Sequence, residues 1–252
     1  MTQLMRHPEI LEIARVEGKV SVEDLAERFE VTAQTIRRDL SELCDSGQLK
    51  RVHGGAILAS GVANIGYEAR RALNADAKAR IGRAAAAAIP NGSSIFMNIG
   101  TSTEAVAREM LHHRDLLVMT NNLNIANILA ANGNCEVIVA GGTLRRSDGG
   151  IVGSMTNRMV EQFKFDLAII GCSALDDDGD ILDFDVQEVG VSQAALQRAR
   201  NVILVADASK FERNAPACIA SLEAVDVFYT DASLSEPLLA KCRGWGTIVA
   251  VC

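Results

Sequence analysis

Residues 32–56, TAQTIRRDLSELCDSGQLKRVHGGA, decide the fold of the N-terminal part of the chain. Ile36, Leu40 and Leu43 recur at the spacing of one face of a helix, which predicts an amphipathic helix with that face toward a core. Thr32 stands where its hydroxyl can cap the start of this helix. The helix is therefore expected to present a polar face to solvent.

A wing and two further helices complete this part of the chain. The apolar stripe ends at Gly47, and residues 49–57 predict two short strands around a Gly-Gly turn. Upstream, apolar spacing predicts a helix over residues 7–17, and Ser21 can cap a second, short helix. Three short helices and a basic wing are typical of a winged helix-turn-helix, whose last helix enters the major groove of DNA.

The polar side of the third helix carries the residue types that contact DNA. Glutamine pairs with adenine and arginine with guanine or phosphate, while basic side chains of the wing lie against the DNA backbone. The predicted DNA-binding residues are Thr32, Gln34, Thr35, Arg37, Arg38, Lys50, Arg51 and His53. A three-helix protein-binding module with a solvated polar face is the alternative interpretation.

The charge balance speaks against a DNA-binding protein, because such domains are usually basic. The chain has 25 lysines and arginines against 32 acids, a net charge of -7, and residues 1–57 hold eight against ten. Bulk attraction therefore does not drive binding. The positive charge has to be concentrated at Arg37, Arg38, Lys50 and Arg51, and a homodimer or homotetramer would multiply these contacts.

The rest of the chain alternates between strand-like apolar runs and helix-length segments. Residues 58–75 lack steady periodicity, so we predict a DNA-binding domain over 1–57, a linker over 58–75 and a second domain over 76–252. A helix over residues 76–89 opens that domain. The predicted strands are 94–99, 116–119, 136–140, 167–171, 202–206, 225–229 and 247–251. This alternation predicts an α/β domain with a mainly parallel sheet that binds ligands beyond the carboxyl ends of its strands.

Small polar loops follow several of these strands. Hydroxyls and backbone N–H groups at a helix start suit a phosphate, and the segments DFDVQE and DASKF add acids and a lysine that can hold ligand hydroxyls. One such loop alone is more often a helix cap, and the acids alone a solvated loop. Their recurrence at one sheet edge favours a site for a small phosphorylated metabolite. The predicted effector-binding residues are Asn98, Gly100, Thr101, Ser102, Thr103, Asn121, Asn122, Gly141, Gly142, Arg145, Asp148, Gly149, Asp183, Asp185, Glu188 and Lys210.

The composition excludes other classes of protein. Hydrophobic residues make up 48% of the chain, as in globular proteins, and no apolar run approaches the roughly 18 residues of a membrane span. The N-terminus, MTQLMRHPEI, lacks the architecture of a signal peptide, so a cytoplasmic protein is expected. The six cysteines lie far apart without a CxxC pair. We therefore expect free structural thiols, no metal and no cofactor.

Residues 32–56 resemble the N-terminal signature of the DeoR family of transcriptional repressors. The larger part resembles the effector domain of that family, which is similar in fold to ribose-5-phosphate isomerase, through IPNGS, TNNLNIANIL, GGTLRRSDGGIVG, FDVQEV and SKFERNA. These segments resemble the branch that controls glycerol-3-phosphate metabolism. The resemblance implies a non-enzymatic repressor that sn-glycerol 3-phosphate releases from double-stranded operator DNA.

One position departs from the family pattern. Members commonly carry a lysine soon after the Glu-Val pair, whereas Glu188 and its valine are followed here by Gly-Val-Ser-Gln. If that lysine holds the phosphate, Lys210 or Arg145 has to replace it, and another sugar phosphate becomes an alternative effector. A sugar-phosphate isomerase, with the DFDVQE acids in acid–base roles, is the third alternative. Effector binding is expected to close the loop around residues 100–103 and to change the spacing of paired DNA-binding domains.

Overall fold

The computed structural model describes residues 3–45, 48–58, 66–211 and 213–252. The chain divides into two units, Met1–Leu73 and Asn74–Cys252. The helices and strands of the first unit are α1 (Gln3–Glu17), β1 (Lys19–Ser21), α2 (Val22–Arg28), α3 (Ala33–Asp45), β2 (Leu49–Val52), β3 (Gly55–Leu58) and α4 (Tyr67–Ala72).

The three helices and the wing predicted for the first unit are confirmed. Ser21 Oγ accepts a hydrogen bond from the backbone N–H of Asp24 at 3.0 Å, which caps α2. Thr32 Oγ1 accepts one from the backbone N–H of Thr35 at 3.2 Å, which caps α3. Strands β2 and β3 form the wing, and β1 joins them in an antiparallel sheet of order β1-β3-β2. The sequence does not reveal β1, because three residues are too few to show an alternating pattern.

The core of this unit lies under the predicted face of α3. Ile36, Leu40 and Leu43 are buried there, whereas Gly47, the last position of the predicted stripe, lies outside the described residues. Helix α1 begins at Gln3, so the predicted start at residue 7 is wrong. Near that start Arg6 makes a buried ion pair with Asp39, a long-range contact that periodicity alone does not show.

The second unit is larger and alternates strands with helices. Its helices are α5 (Ala75–Ala87), α6 (Thr101–Glu109), α7 (Leu123–Leu129), α8 (Ser154–Glu161), α9 (Val186–Arg198) and α10 (Glu236–Trp245). Its strands are β4 (Ser94–Met97), β5 (Leu116–Thr120), β6 (Cys135–Val139), β7 (Thr143–Arg145), β8 (Gly150–Val152), β9 (Phe165–Ile170), β10 (Ala174–Leu175), β11 (Asp180–Asp183), β12 (Ala199–Val205), β13 (Ala217–Ser221), β14 (Val227–Thr230) and β15 (Ile248–Val251). Two short 3-10 helices cover Ala208–Lys210 and Leu222–Ala224.

The seven predicted strands form one parallel sheet, which confirms the predicted α/β class. The order is β15-β14-β12-β9-β4-β5-β6, and each neighbouring pair is parallel. In the centre, Ile95 of β4 lies opposite Leu167 of β9 on one side and Val118 of β5 on the other. All carboxyl ends therefore meet at one edge of the sheet.

Both faces of this sheet are covered. Ile95 and Met97 belong to a core cluster that includes Ile81 of α5 and Val106 of α6. Phe96 points into a different cluster, because successive side chains of a strand point to opposite faces. This explains why β4 reads as a continuous apolar run in the sequence.

Three features of the chain were not predicted. A hairpin, β7–β8, follows β6, and β10, β11 and β13 form a small antiparallel sheet beside the main one. Helix α4 lies within the predicted linker over 58–75. Because residues 59–65 lie outside the described part, the predicted domain boundaries remain a prediction. None of the helices in the described ranges is long and apolar enough to cross a membrane.

Candidate functional site

The predicted DNA-binding residues lie on α3, on the turn before it and on the wing. Seven of them are exposed and Thr35 is half-buried. Arg51 joins helix and wing, because its Nη1 donates hydrogen bonds to Ser41 Oγ at 3.2 Å and to the Arg37 carbonyl oxygen at 3.5 Å. We call this set, Thr32, Gln34, Thr35, Arg37, Arg38, Lys50, Arg51 and His53, the recognition surface.

The amino end of α3 concentrates the polar groups of the recognition surface. The hydroxyls of Thr32 and Thr35 lie 2.9 Å apart, and the first turn of α3 contains no acid. A helix N-terminus of this kind attracts phosphate. Arg38 pairs with Glu42 at 3.3 Å, and an exposed pair of this kind is weak enough to be exchanged for a DNA contact.

A buried ion pair supports the recognition surface from behind. Asp39 of α3 is 1% exposed and accepts hydrogen bonds from Arg6 of α1 at 2.7 and 3.1 Å. His7 Nε2 lies 3.5 Å from the same carboxylate. The sequence analysis missed this pair. Its signal is an acid on the apolar face of the helix, because Asp39 lies three residues after Ile36. The pair fixes the position of α3 relative to α1.

At the carboxyl edge of the sheet, Arg145 gathers three carboxylates. Its guanidinium donates to Asp148 at 2.9 and 2.7 Å, to Glu188 at 2.6 Å and to Asp185. Burial lowers the pKa of Arg145, but the bonds to Asp148 and Glu188 outweigh burial and raise the pKa above its ordinary value. We call these four residues the Arg145 cluster. They tie the β7–β8 hairpin to the start of α9, where Asp185 caps the helix.

Glu188 is the unusual acid of this cluster. Burial raises the pKa of Glu188 to about 8, and the nearby Asp183 carboxylate acts in the same direction, against Arg145. Asp183 itself is buried and accepts hydrogen bonds from the backbone N–H groups of Phe184 and Asp185. The Arg145 cluster together with Asp183 therefore has an excess of acid over base.

A second cluster, with the opposite charge balance, follows β12. Lys210 is 6% exposed; burial lowers the pKa of Lys210 to about 8, and the charge of Arg213 adds to this. Burial alone would raise the pKa of Asp207, but the charge of Lys210 and hydrogen bonds from Ser209 and Asn74 lower the pKa below its ordinary value. Lys78 of α5 is also buried and acts electrostatically on both groups. We call Lys78, Asp207, Lys210 and Arg213 the Lys210 cluster.

Cys172 is within electrostatic range of both clusters. Its thiol interacts with Lys210, Asp207 and Arg213 of the Lys210 cluster and with Asp183 next to the Arg145 cluster. Burial raises the pKa of Cys172 to about 12, so the thiol stays protonated. We call the two clusters, together with Cys172 and Asp183, the band, because these electrostatic interactions link them near the ends of β9 and β12.

The loop after β4 is packed into the protein. Asn98 donates to the Gly171 carbonyl oxygen and to Ser192 Oγ, both at 3.2 Å, and accepts from the Gly171 N–H. Thr103 Oγ1 donates to the carbonyl oxygens of Asn98 and Gly100. Thr101 and Ser102 are buried, while Gly100 is half-buried. Asn98 and Thr103 thus hold the loop in place with their own side chains.

The asparagines after β5 are also internal. Asn122 caps α7 and donates to Glu104 Oε1 at 3.2 Å. Asn124, which the sequence did not single out, joins the same Glu104 to the Asp148 carbonyl oxygen at 2.9 Å. Asn121 donates to the Ile151 carbonyl oxygen at 3.0 Å, but its buried Oδ1 has no hydrogen-bond partner within the described residues. Asn121 Oδ1 is therefore a buried acceptor that the described residues leave unsatisfied.

Packing and backbone conformation explain why glycine occupies two positions of the β7–β8 segment. A Cβ on Gly142, which has φ +156, would lie 2.1 Å from Thr156 Oγ1 of α8. The Thr156 hydroxyl donates to the Gly141 carbonyl oxygen at 2.9 Å, so the hairpin lies against α8. Gly149 has φ +75, as its turn requires.

The structure thus brings some of the predicted effector-binding residues together in the band and uses others to hold loops and turns. Those in contact or electrostatic range across the band are Arg145, Asp148, Asp183, Asp185, Glu188 and Lys210. Those engaged in holding loops and turns are Asn98, Thr103, Asn122, Gly142 and Gly149. Sequence reasoning missed the contributions of Asn74, Lys78 and Arg213, which topology brings in from distant positions. Over the described ranges, no group of three or more metal-ligating side chains is arranged to hold a metal ion.

Comparison with known proteins identifies both units. The model of the DeoR-like helix-turn-helix domain matches residues 6–62, and that of the DeoR C-terminal sensor domain matches residues 73–232. The glycerol-3-phosphate regulon repressor of Escherichia coli (strain K12) is 46% identical over 232 residues, 92% of each chain. The repressor of the same name from Haemophilus influenzae is 41% identical over 230 residues, 91% of this chain and 90% of its own.

Among solved structures, a ribose 5-phosphate isomerase from Methanocaldococcus jannaschii matches 55% of each chain, with a TM-score of 0.41 and 11% identity, too low to support an argument. The sequence relatives are transcriptional repressors, so the isomerase alternative is set aside. The chain belongs to the DeoR family, whose members join a helix-turn-helix to a C-terminal sensor domain.

Proposed function

We propose that this protein is a repressor of glycerol-3-phosphate metabolism genes that binds operator DNA through the recognition surface and leaves it when sn-glycerol 3-phosphate binds the sensor unit. The observation that carries the DNA half is the exposed, acid-free first turn of α3, held beside a basic wing by Arg51. Support for the effector comes from the relatives, two of which are named for the glycerol-3-phosphate regulon.

DNA binding rests on a local concentration of charge. Arg37, Arg38, Lys50 and Arg51 are exposed on one surface, although the chain as a whole is acidic. Two copies on a symmetric operator would double these contacts, with half-sites about 34–36 Å apart along the duplex. A homodimer or homotetramer that works in the cytoplasm, where the operator is, fits this arrangement.

Lys210 is the best anchor for the effector phosphate. Arg145, the other candidate cation, already faces three carboxylates, so its charge is more than neutralised. Lys210 lies instead in a cluster of three cations and one carboxylate, and its Nζ has no ion-pair or hydrogen-bond partner among the residues that the structure describes. A phosphate dianion next to Lys210 would supply the buried ammonium with a charge-assisted hydrogen bond.

The hydroxyl groups of the effector then meet buried acceptors at the same edge of the sheet. Asn121 Oδ1 and Asp207 Oδ2 are buried acceptors without partners in the described parts of the chain, and a glycerol hydroxyl supplies the donor that such an acceptor needs. Glycerol 3-phosphate carries two hydroxyls and one phosphate, and a longer sugar phosphate carries more.

Fluorescence anisotropy with a DNA fragment from upstream of glycerol-3-phosphate uptake or catabolism genes of the same genome tests the proposal. We expect specific binding that sn-glycerol 3-phosphate weakens, while glycerol and inorganic phosphate at the same concentration do not. Specific binding that responds to another sugar phosphate instead would retain the repressor and overturn the effector. Absence of specific binding to any such fragment would overturn the repressor itself.

A further inference from the structure

Asn74 has a backbone conformation that side chains usually avoid. Its φ of 53 and ψ of 38 lie in the left-handed region, immediately before α5. Asparagine is among the few residues other than glycine that tolerate this conformation, at a cost in free energy. Asn74 occupies the N-cap position of α5, yet its side chain makes no capping hydrogen bond to that helix. The side chain is therefore available for a contact elsewhere in the chain.

The Asn74 side chain makes a long-range contact with Asp207. Asn74 Nδ2 donates to Asp207 Oδ1 at 2.7 Å, across 133 positions of the chain. The same oxygen accepts from the backbone N–H and the hydroxyl of Ser209, at 3.2 and 2.5 Å. Asp207 is fully buried, whereas Asn74 is exposed. The contact thus links the surface start of α5 to the interior of the Lys210 cluster.

The backbone of Asn74 reaches the same cluster. Its carbonyl oxygen accepts the hydrogen bond from the backbone N–H of Lys78 at 3.0 Å, and the Lys78 charge helps to lower the pKa of Asp207. A change in the Asn74 conformation would therefore move the first turn of α5 and with it Lys78. Side chain and backbone both connect this residue to Asp207.

Asp207 is placed to respond to a ligand. Its second oxygen, Oδ2, is buried and has no hydrogen-bond partner within the described residues, which is costly for an ionised carboxylate. A ligand donor at Oδ2, or an anion that draws Lys210 away, would reorient the carboxylate and weaken or strengthen the bond that Asn74 makes to Oδ1. A bound effector therefore has a direct route to Asn74.

Asn74 also lies at the boundary between the two units of the chain. It is the first residue of the sensor unit, and the unit that carries the recognition surface ends at Leu73. We propose that Asn74 is the positioning residue through which effector occupancy at Asp207 and Lys210 changes the path of the chain leading to the DNA-binding unit. The inference rests on the proposed function, because it assigns the coupling between the two sites of that repressor.

The full-length Asn74→Gly variant tests this coupling. Glycine adopts the left-handed conformation without strain, so the variant loses the amide that bonds Asp207 and keeps the turn. Three quantities are measured: the operator Kd without effector, the Kd for sn-glycerol 3-phosphate without DNA, and the ratio of operator Kd values with and without saturating effector. Asn91→Gly is the matched control, because Asn91 Oδ1 accepts an exposed hydrogen bond from the Arg114 backbone N–H and lies before β4, at the opposite edge of the sheet from the band.

We expect Asn74→Gly to keep both Kd values within about threefold of wild type. The effector-dependent ratio should fall to below about twofold, from a wild-type ratio within the about 5- to 150-fold typical of coupled sites. A wild-type ratio in Asn74→Gly would overturn the inference and leave the repressor intact. A loss of more than about tenfold in either Kd would also overturn it, because Asn74 would then serve binding. Wild-type protein without operator binding or without release would overturn both proposals.

Amide hydrogen exchange in the wild-type chain tests the same idea without a variant, should Asn74→Gly fail to fold. The Lys78 amide is bonded to the Asn74 carbonyl oxygen. Saturating sn-glycerol 3-phosphate is expected to change its exchange rate at least severalfold, while the Ala130 amide within α7 and its cap serves as an internal reference. An unchanged Lys78 rate with effector bound would overturn the inference.

Discussion

The recognition surface and the band at the sheet edge are built on opposite plans. The residues of the recognition surface lie within positions 32–53, and most of them are exposed. One buried ion pair, between Arg6 and Asp39, supports this surface. The band draws on residues from α5, the β7–β8 hairpin, α9 and the segment after β12, and most of its charges are buried. A surface of the first kind can be altered one residue at a time, whereas in the band each charge sets the state of its neighbours.

The largest effect is expected for the buried Arg6–Asp39 ion pair that supports the recognition surface. Asp39→Ala leaves Arg6 as a buried charge without its partner, and breaking such a pair costs about 3–5 kcal/mol. Calorimetric unfolding of the full chain should show this loss in the N-terminal unit. Glu42→Ala is the control, because the exposed Arg38–Glu42 pair should contribute about 0–1 kcal/mol. Equal losses for the two variants would contradict the distinction.

The next effect concerns the band. Lys210→Met removes the proposed phosphate anchor but keeps much of the side-chain volume, and a charge-assisted hydrogen bond is worth about 1.5–3 kcal/mol. Calorimetric titration should show an effector Kd raised about 10- to 150-fold, with operator binding unchanged. Lys164→Met, at an exposed position, should bind effector like wild type. Unchanged affinity in Lys210→Met would place the phosphate elsewhere.

A smaller effect is expected on the recognition surface itself. Arg38→Ala should weaken operator binding by about 1–2 kcal/mol, roughly 5- to 30-fold, because one side-chain contact to DNA is lost. Effector binding should not change. Arg28→Ala removes an exposed arginine that pairs with Glu17 at 3.2 Å in the same unit and should leave operator affinity unchanged. If both arginine variants lost operator affinity equally, the surface would be wrongly assigned.

The smallest effect is a pH dependence of effector binding. The pKa of Lys210 is lowered to about 8, so its ammonium is charged below that pH and neutral above it. Raising the pH from 7 to 8.5 should reduce the charged fraction, and with it the effector affinity, about fourfold. Ionisation of Glu188, whose pKa is about 8, adds a negative charge and acts in the same direction. Lys210→Met should show a flatter pH profile; a profile as steep as wild type would assign the effect to other groups.

Much of the fold could be predicted because it is written in local patterns. The caps at Ser21 and Thr32, the stripe on α3 and the seven sheet strands each depend on spacings of a few residues. Strand β1 and the small sheet of β10, β11 and β13 were missed because their short or irregular strands show no clear period. The start of α1 was wrong because the pair between Arg6 and a residue 33 positions away is not visible in its own turn.

The band could be predicted only in part for the same reason. Loops at strand ends pointed to the edge of the sheet where the band lies, and DFDVQE supplied its acids. The bonds from Arg145 to Asp185 and Glu188 span 40 and 43 positions, so the sequence did not show that Arg145 is neutralised. Nor did it show that Asn98 and Thr103 bond within their own unit. Predicting polar residues at a sheet edge is easier than predicting which of them are already engaged.

The close fit of Gly142 against Thr156 has a practical consequence. Because no side chain fits between the hairpin and α8 there, a shift of the hairpin would carry the amino end of that helix with it. Met155, in its first turn, is 63% exposed. A fluorescent label at that position would therefore report hairpin displacement optically, at a residue that belongs to neither the recognition surface nor the band.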